Sequence, residues 1–159
     1  MKIKAKEISA GELHGIGRLL FSPSAPTVKA PEECGWSIIG EDLGLTDSCC
    51  AGAMDCAPRP MVVTRMERHT KTPEILTAIE GDSVMCIAPA QEPVSGALKG
   101  IRAVTVRKGQ AFILETGAWH WIPFPLGAQP SRFLVVFRRK TGEEDLEFGT
   151  LAETVSIDA

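Results

Sequence analysis

Two short segments constrain this chain most, because they place carboxylates and imidazoles at fixed intervals along a row of predicted strands. One segment spans residues 67–81 and the other residues 109–120. The side chains concerned are Glu67, His69, Glu74 and His120. A transition metal needs ligands that converge from different parts of a fold, and nitrogen and oxygen donors suit it. The spacing therefore predicts one metal ion inside a small β-barrel.

The first segment follows a predicted strand. Residues 61–66 are mostly apolar or β-branched, and such a run is typical of a strand. Because side chains alternate along a strand, Glu67 and His69 are expected on one face, with Arg65 beside them. A proline then ends or turns the segment, and Glu74 begins the next predicted strand. Glu74 is therefore expected to enter the same site from a neighbouring strand.

The second segment has the pattern of a strand, a turn and another strand. Residues 104–109 predict a strand and turn, and residues 110–115 predict the strand that follows. Gly117 permits a tight corner, after which His120 begins a further extended stretch. Two interpretations of Glu115 remain open, an acid that supports the site or a plain turn residue.

Together the two segments resemble the two motifs of the cupin superfamily. The matching positions are His69, Glu74, Gly81, Gly109, Gly117 and His120. Glu67 stands where the first motif usually has a histidine, and Glu115 stands where the second usually has a proline. The resemblance implies an all-β, single-domain cupin over residues 1–159, which is a double-stranded β-helix or jelly-roll-like barrel.

A narrower resemblance, over residues 58–139, is to the ureidoglycolate lyase family of cupins. It is carried by Glu-Arg-His at 67–69 and by Gly-Ala-Trp-His at 117–120. Trp121 stands where that family tends to have a second histidine, and Glu74 stands where it tends to have glutamine. The resemblance implies a lyase that cleaves a carbinolamine C–N bond and releases glyoxylate and urea.

A divalent ion on two imidazoles and two carboxylates keeps open positions for the oxygens of a small hydroxy or keto acid. Such ligands suit Mn, Fe, Ni or Zn. The implied cleavage needs a base for the hydroxyl proton, for which Glu74, if it is not a ligand, and Glu115 are the candidates. It also needs a cation for the substrate carboxylate, either the metal or Arg65. Metal-dependent isomerases, decarboxylases and dioxygenases remain alternatives, as does a non-catalytic protein that binds a small acid or sugar.

Composition excludes several classes of function. A net charge of −3 without a basic block argues against nucleic-acid binding. No apolar run has the length of a membrane span, and the N-terminus lacks the pattern of a signal peptide, so we expect a cytoplasmic protein. Many barrels of this kind are homodimers, which is the expected assembly. Residues 61–139 are predicted as the barrel core, and residues 1–60 as an irregular region with a short strand and covering loops.

The five cysteines fit reduced thiols better than a disulfide framework. Cys86 lies in an apolar stretch and is expected in the core. A thiolate site built from Cys49, Cys50 and Cys56 is a weaker alternative, since the spacing lacks a Cys-x-x-Cys pair. No role is predicted for Cys34. One of Trp119 and Trp121 is a candidate to line the pocket, although both also suit a core.

Overall fold

Short strands dominate the structure, a computed structural model that describes residues 1–23, 38–45, 48–91 and 98–159. Strands and helices are numbered separately in chain order. The strands are β1 (Lys2–Glu7), β2 (Gly17–Phe21), β3 (Cys49–Cys56), β4 (Val62–Arg68), β5 (Glu74–Glu80), β6 (Ser83–Ala88), β7 (Arg102–Val106), β8 (Ala111–Leu114), β9 (Trp119–His120), β10 (Phe124–Pro125), β11 (Ser131–Arg138) and β12 (Glu147–Asp158). The helices are α1 (Ala10–Leu13) and α2 (Thr141–Glu144). Within the described ranges, no helix is long and apolar enough to cross a bilayer.

The strands form two sheets. One has seven strands in the order β10-β6-β7-β1-β12-β4-β9, and an additional pairing of β6 with β9 closes it into a ring. The other has five strands in the order β2-β8-β5-β11-β3. β1 runs parallel to both β7 and β12, whereas the other described pairs are antiparallel. This closed, mixed β-barrel confirms the predicted all-β barrel.

Strand β6 is buried on both faces, which explains its apolar run from Val84 to Ala88. Met85 and Ile87 belong to a core cluster with members from both sheets, including Leu76, Phe112 and Phe133. Cys86 and Ala88 belong to a second cluster formed within the seven-stranded sheet, including Met66, Trp119 and Phe124. The core position predicted for Cys86 is therefore confirmed.

The N-terminal region contributes more to the barrel than the sequence predicts. β1 lies inside the seven-stranded sheet between β7 and β12, and β3 pairs with β11 along its whole length. β3 was missed because its sequence, rich in Cys, Ala and Gly, lacks the β-branched residues that usually indicate a strand. Covering loops were predicted within residues 1–60, and residues 24–37 and 46–47 of that region, Cys34 among them, lie outside the described residues.

The tail after Thr141 is acidic, a composition that fits an edge strand or a short helix. It contains the short helix α2 and then β12, which is not an edge strand because it lies between β1 and β4. Leu151 and Val155 on β12 are buried in the second core cluster. The acidic residues of β12 hide these buried positions in the sequence. Side chains such as Glu153 are exposed to solvent in the structure.

Candidate metal and substrate site

Three buried side chains from separate parts of the barrel converge on one point. His69 directly follows β4, Glu74 begins β5, and His120 ends β9. One ligand atom from each lies within 4.8 Å of the other two. Among the described residues, this is the one such group of His, Cys, Asp or Glu side chains, so Cys49, Cys50 and Cys56 do not form the alternative thiolate site. We call these three residues the His–Glu–His cluster.

Main-chain contacts join the two sequence motifs. The Gly117 N–H donates to the carbonyl oxygen of His69 at 2.6 Å, and Glu67 pairs in register with His120. Gly117 has a φ of +83°, which glycine adopts without the steric cost that a Cβ brings. The glycine of the second motif therefore makes a corner that holds His69 close to His120.

Both imidazoles are oriented by main-chain carbonyl groups. Nδ1 of His69 lies 2.7 Å from the carbonyl oxygen of Asp145, and Nδ1 of His120 lies 3.1 Å from that of Ala118. Because a carbonyl oxygen only accepts, each Nδ1 carries the hydrogen and donates it. Each Nε2 is then left with a lone pair, which is the arrangement that metal-binding histidines use.

The Glu74 carboxylate supplies a direct test of whether a cation fits. Its Oε2 atom is buried, has no hydrogen-bond partner, and lies 3.2 Å from Nε2 of His120. A lone pair of Glu74 Oε2 and the lone pair of His120 Nε2 therefore face each other in a buried position. This arrangement costs free energy unless a proton or a cation lies between the two atoms. The cluster fits a divalent metal ion.

Burial sets the protonation of both groups when no ion is bound. It raises the pKa of Glu74 to about 7, although nearby His69 opposes the shift. Burial, followed by the proximity of His69, lowers the pKa of His120 to about 4. His120 is therefore neutral near pH 7, as a metal ligand must be.

Glu67, the fourth predicted ligand, lies next to the cluster but outside it. Its Oε1 atom is 3.7 Å from Nε2 of His120, and its side chain is partly buried. Burial raises the pKa of Glu67; nearby His120 lowers it and nearby Glu74 raises it. The structure thus brings all four predicted ligands together, with three of them forming the cluster.

A cavity of about 280 Å³ opens beside the cluster. Glu67, His69 and Glu74 line it, and most of its remaining wall is apolar. The apolar side chains of the wall are Ala53, Met54, Ile122, Val135, Phe137 and Leu146. Ala53 and Met54 belong to β3, so the N-terminal region forms one wall of the cavity.

Two predicted catalytic residues do not line this cavity. The Arg65 side chain is exposed, and its guanidinium carbon lies 5.1 Å from the ring centre of Trp121 and 5.0 Å from that of Phe148. Glu115 is also exposed and forms an ion pair with Arg18 at 3.2 Å. The alternation of side chains brings Arg65 near Glu67, but contact with the two aromatic rings holds its charge outside the cavity.

Neither candidate tryptophan lines the cavity. Trp119 is buried in the second core cluster, and its indole N–H donates to the carbonyl oxygen of Gln91 at 2.9 Å. Trp121 packs against the same cluster. Both tryptophans therefore act as packing residues of the core.

Asp145 is a supporting residue that the sequence did not indicate. Its carboxylate accepts hydrogen bonds from the backbone N–H of Thr70 at 2.7 Å and from that of Lys71 at 2.9 Å. Its carbonyl oxygen accepts the hydrogen bond from His69. Asp145 lies 76 residues beyond His69, so no local motif connects the two.

Comparison with solved structures bears on the fold. The chain is similar to CapF in complex with the inhibitor 3-isopropenyl-tropolone, with 14% identity, a TM-score of 0.51, and coverage of 66% of this chain and 29% of CapF. It is also similar to oxalate decarboxylase from Lactobacillus farciminis, with 17% identity, a TM-score of 0.44, and coverage of 69% and 27%. The Bacillus subtilis oxalate decarboxylase gives 15% identity, a TM-score of 0.45, and coverage of 69% and 24%. The chain thus spans about a quarter of the length of these proteins. The similarity to CapF concerns the fold, which is a cupin barrel.

The family follows from the sequence match. The family model described as ureidoglycolate lyase matches residues 42–158, which is most of the chain. The protein therefore belongs to the ureidoglycolate lyase family. No curated protein sequence gives a significant match.

Proposed function

We propose that the protein is a metal-assisted lyase that cleaves the C–N bond of a small ureido or hydroxy acid, with ureidoglycolate giving glyoxylate and urea. Membership of the ureidoglycolate lyase family supports the lyase class. The single observation that carries the metal site is the buried, unpartnered Oε2 of Glu74, which faces Nε2 of His120 at 3.2 Å. His69, Glu74 and His120 are the residues that hold the ion in this proposal.

A bound divalent ion supplies Lewis-acid chemistry at the oxygens of the substrate. The main-chain contacts of Asp145 and Ala118 keep both imidazoles in the tautomer that presents Nε2 to it. Because Arg65 does not line the cavity, a bound ion rather than that guanidinium would supply the positive charge for the substrate carboxylate. The metal could be Mn, Fe, Ni or Zn, all of which accept mixed nitrogen and oxygen ligands.

Glu67 is assigned the proton transfer. It lines the cavity beside the cluster, and Glu74 is assigned to the metal. The Glu67 carboxylate takes the hydroxyl proton while the C–O bond becomes C=O and the C–N bond breaks. The electron pair of that bond leaves with the urea nitrogen, which receives a proton from Glu67. One carboxylate therefore serves as base and then as acid.

The proposal is tested by measuring glyoxylate release from ureidoglycolate. The protein is purified without a metal-affinity tag, its metal content is measured by elemental mass spectrometry, and it is assayed with Mn, Fe, Ni and Zn in turn. Metal-dependent release of glyoxylate and urea above the uncatalysed rate supports the proposal. Binding of hydroxy acids without turnover would instead favour a non-catalytic cupin.

Substitution Glu67→Gln separates the role of a base from that of a ligand. We expect the variant to keep its metal but to lose about 10²- to 10⁴-fold in kcat, since a positioned acid–base group contributes about that much. Elemental analysis and steady-state kinetics measure the two effects. Glu80→Gln is the control, because Glu80 is an exposed carboxylate that lies outside the cavity. Loss of the metal from Glu67→Gln would make Glu67 the fourth ligand.

The proposal also includes a cytoplasmic homodimer. The outer surface of the protein exposes Ile79 and Leu134, at 43% and 40% exposure, on adjacent strands of the five-stranded sheet. Light scattering from the purified protein checks the assembly.

A further inference from the structure

The wall of the cavity limits what the substrate can carry beyond the metal-binding end. Apart from Glu67, His69 and Glu74, the one polar side chain on the described wall is Thr141. Its hydroxyl group already donates to the carbonyl oxygen of Arg138 at 2.6 Å. No Lys, Arg, Asn or Gln lines the described part of the cavity.

A ureido group is poorly suited to such a wall. It presents a carbonyl acceptor and several N–H donors, each of which loses free energy when it is buried without a partner. Sites that are specific for polar groups place hydrogen-bonding side chains against them. The surfaces of Ala53, Met54, Ile122, Val135, Phe137 and Leu146 offer none.

Two basic residues that are close in sequence to residues of the wall, Arg65 and Arg138, are held elsewhere. Arg65 lies over the rings of Trp121 and Phe148. Nη1 of Arg138 forms an ion pair with Glu144 at 3.1 Å, whereas its Nε and Nη2 atoms are buried without a hydrogen-bond partner among the described residues. Neither residue lines the cavity. The only charged side chains on the described wall are thus at the metal end.

We infer that the preferred substrate is an N-acyl-2-hydroxyglycine whose acyl group is apolar, rather than ureidoglycolate itself. The inference rests on the proposed function, because the carboxylate and hydroxyl group of such a compound bind at the same metal end. The apolar substituent on the acyl carbonyl takes the place of the ureido NH₂ and packs against the apolar wall.

The chemistry is the same carbinolamine cleavage and needs no further reactant. The hydroxyl group loses its proton to Glu67, the carbon–oxygen bond becomes the aldehyde of glyoxylate, and the C–N bond breaks. The electron pair goes to the amide nitrogen, which takes up the proton. The products are glyoxylate and a primary amide.

The size of the cavity restricts the acyl group. Pockets for small ligands usually measure about 300–1,000 Å³, so a cavity of about 280 Å³ lies just below this range. It suits a short branched chain or a single aromatic ring rather than a long acyl chain. N-benzoyl-2-hydroxyglycine is therefore an appropriate probe.

The test compares kcat/KM for N-benzoyl-2-hydroxyglycine and for ureidoglycolate, using the metal-loaded protein and one glyoxylate assay for both. We expect the benzoyl compound to be preferred by about 10- to 100-fold, the range that apolar contacts of this kind provide. Equal rates, or a preference for ureidoglycolate, would overturn the inference and leave the proposed lyase standing. Failure to cleave either compound would overturn both.

Val135→Thr tests the wall directly, because it adds a hydroxyl group at nearly constant volume. We expect it to lower the preference for the benzoyl compound by about tenfold. Val62→Thr, the same substitution at a position of β4 that is 42% exposed and outside the cavity, should leave the preference unchanged. Ile122→Asn, at a partly exposed wall position, repeats the test should Val135→Thr fold poorly. An unchanged preference in a folded wall variant contradicts the inference.

Discussion

Alanine at either His69 or His120 is expected to remove the bound metal and to lower kcat/KM by about 100-fold or more, while the barrel remains folded. Each substitution removes one of the two imidazoles in the cluster, so that only Glu74 and one histidine are left to bind the ion. Even residues that only orient metal ligands typically change metal affinity about 10- to 100-fold. Elemental mass spectrometry and the glyoxylate assay measure the two losses.

His14→Ala is the matched control, because His14 is the only other histidine of the chain and its side chain is exposed. It should keep both metal and activity. Thermal unfolding supplies a readout that does not depend on activity, since an ion at 100 times its Kd stabilises a protein by about 2.7 kcal/mol. Added metal should raise the Tm of the wild type and of His14→Ala, but not that of the cluster variants. Retention of one ion per chain and of activity by either cluster variant would refute the site.

The barrel and its ligand positions were predictable because they depend on local spacing. Glu67 and His69 are two residues apart at the end of a strand, so they reach the same pocket, and Glu74 enters from the next strand. Gly117 requires a positive φ, which the sequence indicates directly. These local features are enough to predict that the four candidate ligand side chains lie together, even when the rest of the sheet is unknown.

The walls of the cavity were not predictable in the same way. β3 has few strand-forming residues, and it is a strand because all eight of its residues pair with β11. For Arg65 the sequence predicted a place in the site that the structure does not show. Strand alternation placed its side chain on the cavity face, but the rings of Trp121 and Phe148 hold its guanidinium group elsewhere. Strand pairing with β11 decides the conformation of β3, and contact with two aromatic rings decides the position of Arg65. Both interactions join segments that are distant in sequence, so no local sequence pattern indicates them.

Asp145 represents the part of the site that depends entirely on tertiary structure. It is 4% exposed, and it forms hydrogen bonds with the loop that begins at His69. Its carboxylate receives two backbone N–H groups and the hydroxyl group of Thr70. The tail of the chain thus fixes the loop of the first motif and, through its carbonyl oxygen, the ring of His69.

Asp145→Ala is therefore expected to lower both stability and metal affinity. It leaves the N–H groups of Thr70 and Lys71 without their acceptor, and hydrogen bonds to a charged group contribute about 1.5–3 kcal/mol each. Allowing for solvent at these partly buried groups, we expect a loss of about 2–4 kcal/mol, or a fall in Tm of about 5–10 °C. A looser His69 should weaken metal binding about 10- to 100-fold. Calorimetric unfolding and metal titration measure the two effects.

Two further variants make this expectation specific. Asp145→Asn keeps one acceptor for the Thr70 N–H but turns an NH₂ group toward the Lys71 N–H, so its losses should lie between those of the wild type and Asp145→Ala. Asp55→Ala removes an exposed carboxylate paired with Arg132, and it should change stability by less than about 1 kcal/mol. If Asp145→Ala were no less stable than Asp55→Ala and bound metal as tightly as the wild type, the carboxylate would have no part in holding His69. The order wild type, Asp145→Asn, Asp145→Ala in both measurements is the result that a positioning role requires, because each step removes one acceptor from the same loop.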